Sequence, residues 1–137
     1  MRNPFGVTDV PGANDAEVEQ FAAAAPRRPA SDDANSANWA AGEWSSRWNG
    51  GAAAGEWKQG RARVDWRDER FYALFDWTWD GETQRGLIEA RREGDDRLVG
   101  RYLNLSNPAI SRPWVGLIAG DGRIDGYWTL GRLDFRR

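Results

Sequence analysis

The stretch Glu69 to Trp79, ERFYALFDWTW, followed by Asp80-Gly81, decides the fold class. Phe71, Ala73, Phe75, Trp77 and Trp79 fall on one side of an extended chain, and Arg70, Tyr72, Leu74, Asp76 and Thr78 fall on the other. This is the period of two of a half-buried β-strand, whose successive side chains point to opposite faces. The Asp-Gly that follows tolerates positive φ and marks a hairpin turn.

The same pattern extends outward in both directions. Trp44, Ser46 and Trp48 alternate against Glu43, Ser45 and Arg47, and Ile124, Gly126, Trp128 and Leu130 alternate against Arg123, Asp125, Tyr127 and Thr129. Turn signals at Asn49-Gly50-Gly51, Gly94-Asp95-Asp96, Asn107-Pro108, Gly120-Asp121-Gly122 and Gly131 separate the runs. The runs cover 42–49, 55–66, 69–79, 83–92, 97–105, 112–119, 123–129 and 132–136. They predict an all-β domain over 39–137, a single antiparallel up-and-down barrel of about eight strands, either filled or with space for one small ligand. A two-sheet β-sandwich is the alternative, because pairing of the first and last strands is not written in the sequence. Gly94 to Tyr102 also matches Gly120 to Trp128 at an offset of 26 residues, each with a glycine two places before the closing aromatic. A glycine so placed predicts sharp coiling of the strand or a ring packed over bare backbone.

Residues 1–38 differ in character, since all nine tryptophans lie at or after Trp39. Pro4, Pro11, Pro26 and Pro29 among small polar residues predict a flexible extension over 1–13 and 26–38. Between them Asn14 and Glu17 form a capping box, and Val18, Phe21, Ala22 and Ala25 recur at helical spacing before Pro26, which predicts a short helix over 15–25. Isolated helices shorter than about 12 residues are marginal in water, so this one must fray, lie over its own domain as a lid, or hold a partner protein through Val18 and Phe21.

Composition removes most enzyme chemistries. The 137 residues include no cysteine and no histidine, which excludes disulfides, thiolate nucleophiles, Cys/His zinc sites, haem ligation by histidine and histidine acid–base catalysis. What remains is Asp, Glu, Tyr, Ser, Thr, Arg and the single Lys58. The chain is 40% hydrophobic, with no run near the roughly 20 apolar residues that a membrane span needs, which predicts a soluble protein. Met1 to Gly6 leads into no apolar segment, and the acids at Asp9, Asp15, Glu17 and Glu19 do not suit a transit peptide, so a cytoplasmic location is expected.

Gly42-Glu43-Trp44 at the head of the first strand, with Gly100-Arg101-Tyr102 and Gly126-Tyr127-Trp128 in later strands, resembles the calycin group of lipocalin and avidin-like barrels. The likeness spans about Trp39 to Arg137. It implies a cup for a small, mostly apolar molecule, and an arginine near the last strand, Arg132 or Arg136, covering the ring of Trp44.

Each aromatic candidate carries a core reading and a ligand-lining reading. Phe71, Phe75, Trp77 and Trp79 share one strand face, Trp48 and Trp128 are similar, and Trp44 is the expected plug of a closed end. Arg61 and Arg63 share a mostly polar face with Trp57, Gln59 and Asp65. Pointing inward beside Tyr72 or Tyr102, they would clamp a carboxylate or phosphate; pointing outward, they are ordinary solvated arginines. Asp65, Asp68, Glu69, Asp76 and Asp80 lack the spacing of a calcium loop, and neither a metal nor a cofactor is expected. Trp interleaved with Arg also suits sugar rings or single-stranded nucleic acid. From Trp39 onward, however, 16 basic residues meet 15 acidic ones, so no basic groove forms and no nucleic-acid partner is expected.

The leading expectation is thus a non-catalytic barrel binding a small hydrophobic or aromatic molecule through Phe71, Tyr72, Phe75, Trp77, Trp79, Tyr102 and Trp128, with Arg61 and Arg63 as candidate anion contacts. An accessory subunit docked on a larger protein through residues 1–38 is the second reading. A cofactor-free cyclase or isomerase using Tyr72, Tyr102 or Asp76 is the third. Monomer and homodimer are both open.

Overall fold

Seven hairpin turns set the strands in sequence order, each strand pairing with the next. The computed structural model describes residue 5 and residues 15–26, 41–51, 53–94, 96–107 and 110–137. The flexible segments expected over 1–13 and 26–38 lie outside these, apart from Phe5 and Pro26. The strands are β1 (Gly42–Gly50), β2 (Ala53–Arg67), β3 (Arg70–Trp79), β4 (Glu82–Glu93), β5 (Arg97–Asn104), β6 (Ser111–Ile118), β7 (Arg123–Trp128) and β8 (Gly131–Arg136). They form a closed antiparallel barrel in the order β1 to β8. Closure rests on the pairing of β1 with β8, through Ser45 with Arg136, Ser46 with Phe135, Arg47 with Asp134 and Trp48 with Leu133. A sandwich would leave those edges unpaired, so that alternative is excluded.

Alternation along each strand sorts side chains into lumen and outer wall. The lumen of one half is filled by Trp44, Phe71, Leu98, Trp114, Ile118, Ile124 and Phe135, all buried in one cluster. Trp114 lies flat over Gly116 and Gly126: a Cβ on Gly116 would sit 2.4 Å from Trp114 Cη2, and one on Gly126 would sit 2.5 Å from its Nε1. At Gly126 both expected causes meet, because a built Cβ would also sit 1.7 Å from the Leu133 carbonyl oxygen, whereas at Gly100 the close neighbours are backbone alone, with Glu89 O at 1.9 Å, as sharp coiling requires. From this position the Trp114 N–H donates to the Leu133 carbonyl at 3.1 Å.

The guanidinium of Arg137 lies 4.9 Å from the ring centroid of Trp44. The cation that covers Trp44 is thus neither Arg132 nor Arg136. Those two alternate with the inward Leu133 and Phe135 and so face out, whereas Arg137 follows the last strand and folds across the barrel end. Outside, Arg47, Arg123, Arg132 and Arg136 surround the buried carboxylates of Asp125 and Asp134. Asp134 also accepts the Gly126 N–H at 2.9 Å, where the β7–β8 ladder skips from Ile124–Phe135 to Tyr127–Arg132.

Helix α1 (Asp15–Ala24) lies against the outer wall of β5 and β6. Its Val18 and Ala22 are buried with Val99 and Val115, and Phe21 and Ala25 pack on the same cluster. Asp15 pairs with Arg101, Glu19 with Arg91 at 2.8 Å, and Arg97 caps the helix end through the Ala22 carbonyl. The expected helix is present, but Val18 and Phe21 engage this chain's own barrel instead of standing free for a partner, and the helix is no lid over the mouth. The cause is local: Val99 and Val115 place an apolar patch outside the wall, and three arginines around it meet Asp15, Glu19 and the Ala22 carbonyl. No helix among the described residues is long and apolar enough to cross a membrane.

Candidate functional site

The half of the lumen opposite Trp44 is open. It holds a cavity of about 290 Å³ lined by Trp48, Phe75, Trp77, Trp79, Gln84, Tyr102, Asn104, Trp128 and Leu133. These residues come from the ends of β1, β3, β5 and β7 and the starts of β4 and β8, so the cavity opens where the β1–β2, β3–β4, β5–β6 and β7–β8 turns gather.

Its aromatic side chains touch in a closed circuit. Trp48 meets Trp77 edge-on at 5.6 Å, Trp77 stacks on Phe75 at 5.5 Å, Phe75 meets Tyr102 at 5.9 Å, Tyr102 meets Trp128 at 6.1 Å, and Trp128 returns to Trp48 at 6.3 Å. Trp79 stacks on Trp48 at 6.4 Å and carries Lys58 over its face at 5.1 Å. Such edge-to-face and offset contacts are the favoured geometries of aromatic pairs, and here they fix each ring from both sides.

Polar groups are few and oriented. The Asn104 amide oxygen accepts the backbone N–H of Ser106 at 2.9 Å and that of Asn107 at 3.3 Å, which commits that oxygen and leaves the NH₂ as its remaining hydrogen-bonding group. The Ser106 hydroxyl donates to the Gln84 amide oxygen at 2.5 Å, which leaves the Gln84 NH₂ uncommitted by that contact. The Trp48 indole N–H is buried out of contact with the cavity space and has no acceptor among the described residues. Burial pushes the Tyr102 hydroxyl up to about 12, against the opposing effects of Asn104 and Arg112. The phenol therefore stays protonated at any physiological pH. Among the described residues no carboxylate, lysine or arginine lines the cavity.

The sequence candidates divide accordingly. Phe75, Trp77, Trp79, Tyr102 and Trp128 are brought together around the cavity. Phe71 is on the same strand face but belongs to the filled half, stacked 6.1 Å from Trp114. Tyr72 is fully buried on the outer side of the wall, level with Asp65 and Glu89, and both burial and the Glu89 charge push its hydroxyl up. Arg61 and Arg63 are exposed on the outer face, beside a separate depression of about 160 Å³ with Glu43, Asp76 and Arg85. Neither arginine enters the lumen, because Ala62 and Val64 take the inward positions of β2. Asp76 also faces out, with its carboxylate accepting the Arg61 N–H at 2.9 Å. The phenols of Tyr72 and Tyr102 and the Asp76 carboxylate are thus not assembled into one site.

Gln84, Asn104 and Leu133 escape the sequence reading. Gln84 and Asn104 were findable, since stepping by two from Gly86 and from Tyr102 puts both on the inward face near a turn.

No protein-family model matches this chain, and no curated protein matches it. A solved structure described as a redesigned β barrel superposes with a TM-score of 0.61 at 15% identity, over 78% of this chain and 98% of that one. The shared feature is the barrel fold.

Proposed function

We propose that this chain is a non-catalytic barrel that binds a small, flat, mostly apolar molecule in its open half. The observation that carries this reading is the closed circuit Trp48–Trp77–Phe75–Tyr102–Trp128 around a cavity of about 290 Å³. Ligand sites typically occupy about 300–1,000 Å³ and are lined by apolar and aromatic side chains with a few placed polar groups, and this cavity sits at the small end of that range. A structural plug needs no such space, because an eight-stranded lumen is narrow enough for side chains to fill, as Trp114 and Phe71 fill the other half. The calycin likeness supports the same reading, since Gly42-Glu43-Trp44 opens the first strand and Arg137 covers the Trp44 ring. Exposed Trp57, Trp79 and Leu130 lie near the mouth, where an apolar ligand would enter.

The test is a titration with neutral aromatic compounds read by tryptophan fluorescence. Saturable change is expected, and Trp77→Ala should abolish it while the far-ultraviolet circular dichroism of the barrel survives. A response in Trp77→Ala equal to that of the parent would remove this cavity as the site.

A further inference from the structure

Among the described residues, the polar side chains Gln84, Tyr102 and Asn104 of the cavity wall each present a hydrogen to donate. Asn104 has both hydrogen-bond acceptances of its amide oxygen taken by backbone N–H groups, which can only donate, so the orientation of its amide is fixed by the chain itself. Tyr102 lines the same wall with a phenolic hydroxyl that burial keeps protonated, so it has a hydrogen to donate. The Gln84 oxygen is occupied by the Ser106 hydroxyl, which turns its NH₂ into the remaining group. A ligand that takes the place of water beside these donors without supplying an acceptor leaves them unpaired, so the wall favours an occupant that brings acceptors.

Charge narrows the class further. An anion entering the cavity would lose its hydration, and no lysine or arginine among the described residues lines the cavity to replace it. A cation would find aromatic faces, which attract it, but also a set of donor hydrogens, which repel it, and no carboxylate. What fits both constraints is a neutral molecule whose oxygen accepts without carrying charge.

We infer that the ligand of this barrel is a neutral aromatic carbonyl compound, a flat ketone or quinone, whose oxygen accepts from Tyr102 and Gln84 while its rings pack inside the Trp48–Trp128 circuit. This rests on the binding-cup reading and specifies its ligand. The experiment compares fluorenone with fluorene, which share one skeleton and differ by a carbonyl in place of a methylene, using isothermal titration calorimetry on the full chain. Fluorenone is expected to bind about tenfold more tightly, the equivalent of one good hydrogen bond. Tyr102→Phe should remove most of that preference, so that fluorenone and fluorene bind the variant within about twofold of each other. Gln84→Leu should do the same and serves as the second variant should Tyr102→Phe fail to fold. Fluorene-9-carboxylate, an anion of the same skeleton, should bind at least as weakly as fluorene. Equal affinity for fluorenone and fluorene, or a preference unmoved by both variants, would overturn the donor-wall assignment and leave the cup intact. Tighter binding of the carboxylate would overturn the neutrality of the ligand. Failure of fluorenone and fluorene alike to bind would overturn the cup itself, and this assignment with it.

Discussion

Trp114 separates the filled half of the barrel from the open half, and its removal can be quantified. The side chain is fully buried, stacks 6.1 Å from Phe71, meets Phe135 edge-on at 6.0 Å and donates to the Leu133 carbonyl. Truncating a buried tryptophan to alanine costs about 3–5 kcal/mol, and each aromatic pair contributes about 0.5–1.5 kcal/mol within that figure. For a domain of this size 1 kcal/mol corresponds to about 4 °C, so Trp114→Ala should lower Tm by about 12–20 °C. The sharper test is the partner glycine. A Cβ on Gly116 meets Trp114 Cη2 at 2.4 Å, so Gly116→Ala alone should destabilise by about 1–3 kcal/mol. In the Trp114→Ala background that ring is gone, and the Ile124 methyl, the next neighbour at 2.9 Å, can move into the vacated volume. Gly116→Ala should then be neutral, or stabilising by about 0.5 kcal/mol through reduced backbone entropy of the unfolded chain. Urea unfolding of all four proteins, read by far-ultraviolet circular dichroism, closes the cycle. Additivity of the two changes within about 0.5 kcal/mol would refute the claim that Gly116 is glycine in order to seat Trp114.

In an ultraviolet titration of the phenols, Tyr102 should ionise near 12, well above the ordinary 10.0, and Tyr102→Phe should delete that late component. Because the folded state holds this proton more tightly than the unfolded one, the stability it contributes is complete below pH 10 and lost as pH rises through about 12, so base unfolding should begin later in pH for Tyr102→Phe. An ionisation of Tyr102 near 10 in the folded protein would contradict its burial in the wall. Asp134→Ala removes a fully buried carboxylate from Arg47, Arg132 and the Gly126 N–H, and should cost about 3–5 kcal/mol by urea unfolding; a loss under about 1 kcal/mol would show that this seam does not hold the barrel closed. Val18→Asp puts a charge where Val18 meets Val99 and Val115, so proteases should cut within residues 15–26 faster while the barrel from residue 41 onward survives. Unchanged protection there would mean that Val18 does not dock the helix.

The strands were legible because each is written twice, once in the period-two pattern and once in the turn that follows. Glu69 to Trp79 is read as a strand and found as Arg70–Trp79, and 123–129 is found as Arg123–Trp128. Closure was not legible: it depends on partners as far apart as Ser45 and Arg136, whose pairing follows from the accumulated tilt and register of all eight strands. The destination of helix α1 was hidden for a similar reason. Its apolar stripe announces that something is covered, but the covered patch, Val99 and Val115, lies on strands that read as ordinary alternating runs. Arg61 and Arg63 show the limit of alternation, which divides a strand into two faces but leaves open which face is the lumen when one is mostly polar and the other runs Lys58, Gly60, Ala62, Val64 and Trp66.

Depth along the barrel axis is the remaining quantity, and it decides the site. Phe71 and Phe75 are one turn of the alternation apart from Ala73 on the same face of β3, yet one fills the lumen and the other borders a cavity. In the closed half Trp114 lies on the wall of β6 and β7, and Phe71 meets it from the far side, so the rings span the lumen. In the open half the bare backbone of Gly86 lets two rings lie back against the wall: a Cβ there would stand 2.5 Å from Phe75 Cζ and 2.9 Å from Tyr102 Cε2. The circuit of aromatic rings then runs round the perimeter, each ring meeting its neighbours and leaving the middle open. Glycine serves both halves, seating the ring that closes one and withdrawing the rings that keep the other open. The cavity therefore follows from where the bare backbone falls relative to the large side chains, with Gly86 giving the rings of Phe75 and Tyr102 room against the wall.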